Sequence, residues 1–162
     1  MQKKIKEITE KEALQKLGAL CSRSEHCTFE MQEKMKRWGL DEQTRARIIA
    51  TLIKGKYIDD ERFARAFAND KVRYNKWGKR KVEQALFLKH IDEDIRHRVL
   101  DEIEDEDFKE ALRPLLLAKM KSVKAKSDYE LNCKLIRFAM GRGYDLEEIN
   151  DCLEDIFRDT EQ

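Results

Sequence analysis

The side chains of this 162-residue chain best suited to chemistry are bases that interleave with aromatic residues. Five bases stand within the nine residues from Arg73 to Lys81, beside Tyr74 and Trp77 and next to Gly78, and no acid interrupts them. Basic side chains neutralise phosphates or an acidic protein surface, and aromatic faces can stack on nucleic-acid bases. The pattern predicts a binding surface. Alternatively, Tyr74 and Trp77 fill the joint between two helices while the bases face solvent.

Charge along the chain alternates in blocks, although the formal net charge is only +1. From Lys71 to Lys89 seven bases face one acid, Glu83, and the segment 92–110 that follows has ten acids and three bases. Some of the seven cations must face outward, because so many cannot be buried without partners. The candidate partner-binding or nucleic-acid-binding residues are Lys71, Arg73, Lys76, Trp77, Lys79, Arg80, Lys81 and Lys89.

The sequence lacks the common motifs of catalysis and cofactor binding. G-x-x-x-x-G-K-[ST], G-x-G-x-x-G and H-E-x-x-H are all absent. The four cysteines lack C-x-x-C spacing, so they indicate reduced thiols, with Cys152 on a buried stripe, rather than metal ligands. Asp59, Asp60, Asp92 and Asp145 stand where helices should begin, so we interpret them as caps. We expect no catalytic residue, no cofactor and no metal.

The elements that must position these side chains follow an internal period near 50 residues. Asp41, Asp92 and Asp145 each precede a helix with one apolar face, at spacings of 92 − 41 = 51 and 145 − 92 = 53. Such a period indicates tandem units. We predict an all-α fold, with three tandem three-helix repeats in an elongated, curved body and no β-sheet; the alternative is one compact nine-helix bundle. The predicted units are residues 1–57, 58–104 and 105–162.

Further details follow from helical periodicity. Stacked units should bury one continuous apolar seam. Glycines such as Gly39 and Gly55 should end helices in the left-handed conformation. The third helix of the second unit should run to about Glu104, and Pro114 should kink the next helix or mark a later start. Phe63 lies on the predicted buried stripe of the second unit.

The sequence resembles one known family in its central region. The run Gly-Lys-Tyr-Ile-Asp-Asp-Glu-Arg-Phe-Ala at 55–64, followed by Arg73 and Gly-Lys-Arg-Lys at 78–81, is similar to the signature of RecX regulatory proteins, which modulate the RecA recombinase. The resemblance covers about residues 10 to 158, with His90 standing where the family often has glycine. The residues of the structural signature are Gly55, Asp59, Asp60, Phe63 and Gly78.

The resemblance implies a non-enzymatic regulator that binds in the groove of the RecA nucleoprotein filament. Such a protein inhibits the recombinase and ATPase activities of RecA and so modulates DNA repair and recombination. It also implies weak, unspecific contact with single- or double-stranded DNA. We further expect a cytoplasmic monomer without membrane contact, because the sequence shows no signal peptide and no long apolar run. Two alternatives stay open: a general DNA-binding helical module acting without RecA, and a scaffold for helical peptides.

Overall fold

The computed structural model describes residues 7–162, and these residues form nine α-helices and no β-strand. The predicted all-α fold is confirmed. None of the helices in this range is long and apolar enough to cross a membrane. The helices are α1 (Glu10–Arg23), α2 (Thr28–Arg37), α3 (Glu42–Lys54), α4 (Asp60–Arg73), α5 (Lys79–Leu88), α6 (Glu93–Asp101), α7 (Asp105–Ser122), α8 (Asp128–Gly141) and α9 (Leu146–Thr160). The first six residues of the predicted unit 1–57 lie outside the described range.

Acidic caps begin several helices, as the sequence predicts. Asp41 and Asp145 each accept a hydrogen bond at 2.8 Å from the backbone N–H three residues on, which satisfies a donor that has no partner inside the helix. Asp92 occupies the same position before α6 but makes no such side-chain bond. Its carbonyl still accepts the first helical bond, 3.0 Å from the N–H of Arg96. The side-chain cap expected of Asp92 is therefore absent, and main-chain bonding alone begins α6.

The internal period recurs in the backbone conformation before the third helix of each unit. Gly39, His90 and Gly143 have positive φ angles of 77°, 56° and 98°. Their spacings, 90 − 39 = 51 and 143 − 90 = 53, are those of the caps that follow them. This conformation is strained for an L-residue and unstrained for glycine. His90 therefore holds a conformation for which the other two units use glycine.

The period also recurs in ion pairs between the first and third helices of a unit. Glu10 pairs with Arg47 at 3.0 Å, and Glu61 pairs with Arg98. Both partners of the second pair lie 51 residues after those of the first, since 61 − 10 and 98 − 47 are both 51. The first two units therefore repeat side-chain contacts as well as helices.

The buried side chains form two separate clusters within residues 7–162. One consists of seven residues of the first unit and Ile58, the first residue of the predicted second unit. The seven are Ala13, Leu17, Met31, Met35, Ile48, Ile49 and Leu52. The other spans the second and third units and includes Cys27, while Phe29 and the half-buried Cys152 pack against it. The prediction of one continuous seam is wrong at the first junction, because there the units meet through a few side chains. Two cores also argue against the single-bundle alternative.

Two local predictions need correction, and one of the two outcomes expected for Pro114 is excluded. Gly55 has a φ of −79°, and the left-handed conformation falls on Lys56, with a φ of 60°. Helix α6 ends at Asp101, before the expected Glu104. Pro114 lies inside α7, which excludes the later helix start and leaves the expected kink as a prediction. The interior proline is tolerated because the carbonyl of Glu110, which loses its usual N–H donor, belongs to an exposed residue that water can reach.

Candidate partner-binding surface

The acidic pair of the signature joins the first two units. Asp59 caps α4 through the backbone N–H of Arg62 at 3.0 Å. Asp60 instead accepts a 2.8 Å hydrogen bond from the backbone N–H of Thr28, the first residue of α2. The position of Asp60 suggested that it caps its own helix, and this prediction is therefore wrong. Asp60 satisfies a helix start in the preceding unit, because α2 begins with an N–H that has no partner in its own helix.

Two lysines of the second unit lie against the ring of Trp77. The Nζ atoms of Lys71 and Lys81 lie 4.9 and 4.7 Å from the centre of the indole ring. Phe67 meets the same indole edge-on, with ring centroids 6.4 Å apart, and stacks on the buried Phe63 at 5.7 Å. We call Lys71, Trp77 and Lys81 the tryptophan clamp. A cation held against an aromatic face keeps its full charge, because the ring attracts it without neutralising it.

The glycine before α5 packs against main chain of the third unit. The backbone N–H of Gly78 donates to the carbonyl of Arg142 at 2.7 Å, and that of Arg80 donates to the carbonyl of Gly143 at 3.2 Å. A Cβ on Gly78 would lie 2.5 Å from the carbonyl oxygen of Gly143, closer than real Cβ atoms approach. The second and third units therefore meet through main chain, where no side chain fits.

Two side chains reinforce this second junction. The guanidinium of Arg80 donates to the carbonyl of Met140 at 2.8 Å. The hydroxyl of Tyr144, a fully buried residue, donates to the carbonyl of Lys76 at 3.0 Å, and its burial raises the pKa of the hydroxyl. Lys76 itself has a left-handed φ of 58°. Arg80 and Lys76 thus contribute to the joint between units as well as to the charge of the surface.

Other predicted contact residues already have acidic partners. Lys79 lies 3.8 Å from Asp101, and Lys89 lies 3.3 Å from Glu30 of the first unit. Lys89 follows the end of the ten-residue α5, which places it about 15 Å along the helix from Lys79. Lys79 and Lys89 therefore lie at opposite ends of α5, each beside a carboxylate.

Arg73 and Lys76 lie on another side of the second unit, towards α7. They line a cavity of about 250 Å³ together with Asp107 and Glu110, two acids of α7. Carboxylates within the same cavity oppose the charge of the two bases. Among the predicted contact residues, the tryptophan clamp is the group that the structure brings together around one aromatic ring.

An acidic cleft of about 730 Å³, which was not predicted as a site, lies mainly in the third unit, and Lys79 of α5 is also among its lining residues. Acids of α7 and α9 line it beside Phe108 and Cys152. Burial, and next the neighbouring Asp145, raise the pKa of Glu148 in this cleft to about 7. Nowhere in the described part of the chain do three His, Cys, Asp or Glu side chains come together as metal ligands would.

Sequence reasoning also missed the part of the second junction that the third unit supplies. Arg142, Gly143 and Tyr144 flank the family signature and were not predicted as part of a site. The internal period could have indicated this segment. Gly143 lies 53 residues after His90, which is also the spacing between Asp92 and Asp145. A glycine that recurs before a helix cap indicates a positive φ angle. Glycine at such a position also allows another segment of main chain to approach closely.

Comparison with known proteins gives relatives along most of the chain. Sequence models of the second and third three-helix domains of RecX match residues 59–100 and 105–153. The regulatory protein RecX of Clostridium perfringens is 31% identical over 160 residues, which are 95% of this chain and 73% of that protein. The one of Clostridium acetobutylicum is 29% identical, with 81% of this chain and 62% of the relative covered. The one of Vibrio parahaemolyticus is 30% identical, with 83% of this chain and 84% of the relative covered.

Solved structures share the fold. A crystal structure of a regulatory protein RecX superposes with a TM-score of 0.82 at 16% identity, covering 90% of this chain and 73% of that one. The crystal structure of RecX from Lactobacillus salivarius superposes with a TM-score of 0.79 at 17% identity, covering 90% of this chain and 95% of that one. At such low identities the structural comparison establishes the fold alone, whereas the sequence relatives establish the family. The chain belongs to the RecX family, whose members are non-enzymatic regulators of RecA activity.

Proposed function

We propose that this protein binds the active RecA nucleoprotein filament and inhibits its strand exchange and ATP hydrolysis. The observation that carries the proposal is the tryptophan clamp, in which two lysines stand against one indole. Desolvating such a pre-positioned charge costs less when an anionic surface replaces the water. The anion would be a filament carboxylate or a DNA phosphate.

The three-unit architecture supports a contact that reaches more than one filament subunit. Among residues 7–162, hydrogen bonds and ion pairs join the first unit to the second and the second to the third, but not the first to the third, which supports an arrangement of the units in a row. A row of units offers a long surface rather than a pocket. We propose that the protein acts as a cytoplasmic monomer, with the three units divided near residues 57 and 104.

The test removes the charges of the clamp while keeping its packing. Lys71→Gln/Lys81→Gln should weaken inhibition of RecA ATPase on single-stranded DNA about tenfold or more, since removing a hydrogen bond to a charged group costs roughly 1.5–3 kcal/mol. Lys11→Gln/Lys54→Gln, which removes two exposed lysines of the first unit, is the matched control. Equal inhibition by the two folded variants would contradict the proposed contact.

Reversing Lys79, Arg80 and Lys81 together is a less suitable test. Arg80 holds the carbonyl of Met140, so its replacement also loosens the junction between units. The competing function, a DNA-binding module that acts without RecA, predicts a different pattern. In that case the Lys71→Gln/Lys81→Gln variant would lose affinity for free DNA in the same proportion as it loses inhibition of RecA.

A further inference from the structure

The third unit has one more helical turn on each of its first two helices than the other units have. Helix α7 has 18 residues against 14 in α1 and α4, and α8 has 14 against 10 in α2 and α5. Four residues correspond to about one turn, or roughly 6 Å. The loop that joins these two helices, residues 123–127, therefore extends beyond the corresponding loops of the first and second units.

A shallow basin of about 410 Å³ lies at this extension. Its lining contains four bases, no acid, and two apolar side chains. These residues are Lys119, Val123, Lys124, Lys134, Arg137 and Phe138. Helices α1 and α4 stop one turn earlier, so the first two units lack the helical turn on which this basin is built.

Most of the charge in and beside this basin is not neutralised. Lys119 and Arg142 lie 4.8 and 5.1 Å from the centre of the Phe138 ring, and no carboxylate among residues 7–162 pairs with either of them. Lys134 has an acidic partner, Glu130 at 2.9 Å. The aromatic ring thus positions cations in the same way as Trp77 does in the tryptophan clamp, and it leaves their charge available to a ligand.

We propose that this basin binds the phosphates of single-stranded nucleic acid. A single nucleic-acid strand carries one phosphate on every nucleotide, and this repeated negative charge suits several cations around one basin. Val123 and Phe138 offer the apolar surface that a sugar or base needs beside its phosphate. A flexible single strand can enter the concave surface, whereas a stiff duplex would bridge it. The inference deepens the proposed function and rests on it, because it gives the DNA of the filament its own site.

The test uses the full chain and a fluorescently labelled oligothymidylate, without RecA. Lys124→Gln/Arg137→Gln removes two exposed bases and leaves the bond from Lys134 to the main-chain carbonyl of Lys124 intact. We expect its affinity, measured by anisotropy, to fall at least tenfold at low salt. The slope of log affinity against log salt should fall by about one for each phosphate that the variant no longer neutralises. Lys11→Gln/Arg23→Gln is the control with the same change of charge.

Three results would overturn the inference. One is an unchanged affinity and salt slope in the basin variant. The second is equal affinity of the wild-type protein for a duplex of the same length. The third is weaker inhibition of RecA with undiminished binding of the free strand, because the basin would then face an acidic protein surface. Since the oligothymidylate assay contains no RecA, its failure is distinct from failure of the tryptophan clamp, which the ATPase assay measures.

Discussion

Gly78 and Gly143 touch main chain to main chain across the junction of the second and third units. Gly78→Ala should therefore force the two segments apart and break the 2.7 Å bond from Gly78 to Arg142. We expect a decrease of roughly 1–3 kcal/mol in the free energy of unfolding, measured by urea denaturation. Gly18→Ala is the control, since no heavy atom lies within 4 Å of a Cβ at this position inside α1. A decrease no larger than that of the control would contradict the close approach.

His90 combines a left-handed backbone with a ring stacked on Phe29 at 4.1 Å. The left-handed conformation costs an L-residue roughly 1–2 kcal/mol relative to glycine, and a stacked pair gains about 0.5–1.5 kcal/mol. In a Phe29→Ala background the stack is already absent, so His90→Gly should raise the free energy of unfolding by about 1 kcal/mol. In the wild-type background the gain should be smaller. Urea denaturation of the four proteins measures both differences, and destabilisation by His90→Gly in the Phe29→Ala protein would contradict this account.

Phe63 should act on stability rather than on partner contact. It is 6% exposed and belongs to the core shared by the second and third units. Phe63→Ala should cost about 3–5 kcal/mol in the free energy of unfolding, because truncating a large buried side chain leaves a cavity. Phe87→Ala, at a 60% exposed position on α5, should cost far less. If Phe63→Ala kept its thermal midpoint but no longer inhibited RecA, Phe63 would be a contact residue.

Glu148 should make stability depend on pH. Its pKa is raised from 4.5 to about 7, so the folded chain binds the proton more tightly than the unfolded chain. The resulting stabilisation is complete below pH 4.5 and disappears as the pH rises through about 7. Glu148→Gln should therefore raise the thermal midpoint relative to wild type more at pH 8 than at pH 4.5. The exposed Glu147→Gln controls for charge, and an equal shift of the midpoint at both pH values would refute the assignment.

The period of the caps could be read from the sequence because it depends on local chemistry. Asp41 and Asp145 each bond to an N–H three residues away, so the residue types and their spacing contain the information. Asp60 could not be assigned in this way, because its partner is the N–H of Thr28, which lies 32 residues earlier and in another unit. Contacts between units depend on how helices pack, and a single-sequence pattern does not specify that packing.

The candidate site was predicted only in part for the same reason. Trp77 and the lysines near it were identified from composition, but their arrangement around the indole requires α4 and α5 to meet at a particular angle. Lys89 was grouped with them because it is close in sequence, although it reaches Glu30 in the first unit instead. The basin around Phe138 depends on two helices being one turn longer, which becomes visible when the three units are compared as folded objects.

The matching ion pairs Glu10–Arg47 and Glu61–Arg98 have a consequence for how this chain must fold. Because the two pairs are equivalent, Glu10 could pair with Arg98 as well as with Arg47, and such a mispairing would join helices of different units. Both pairs are exposed, however, and an exposed ion pair contributes only about 0–1 kcal/mol. The separate apolar cores, rather than the ion pairs, must therefore determine which helices pack together as a unit.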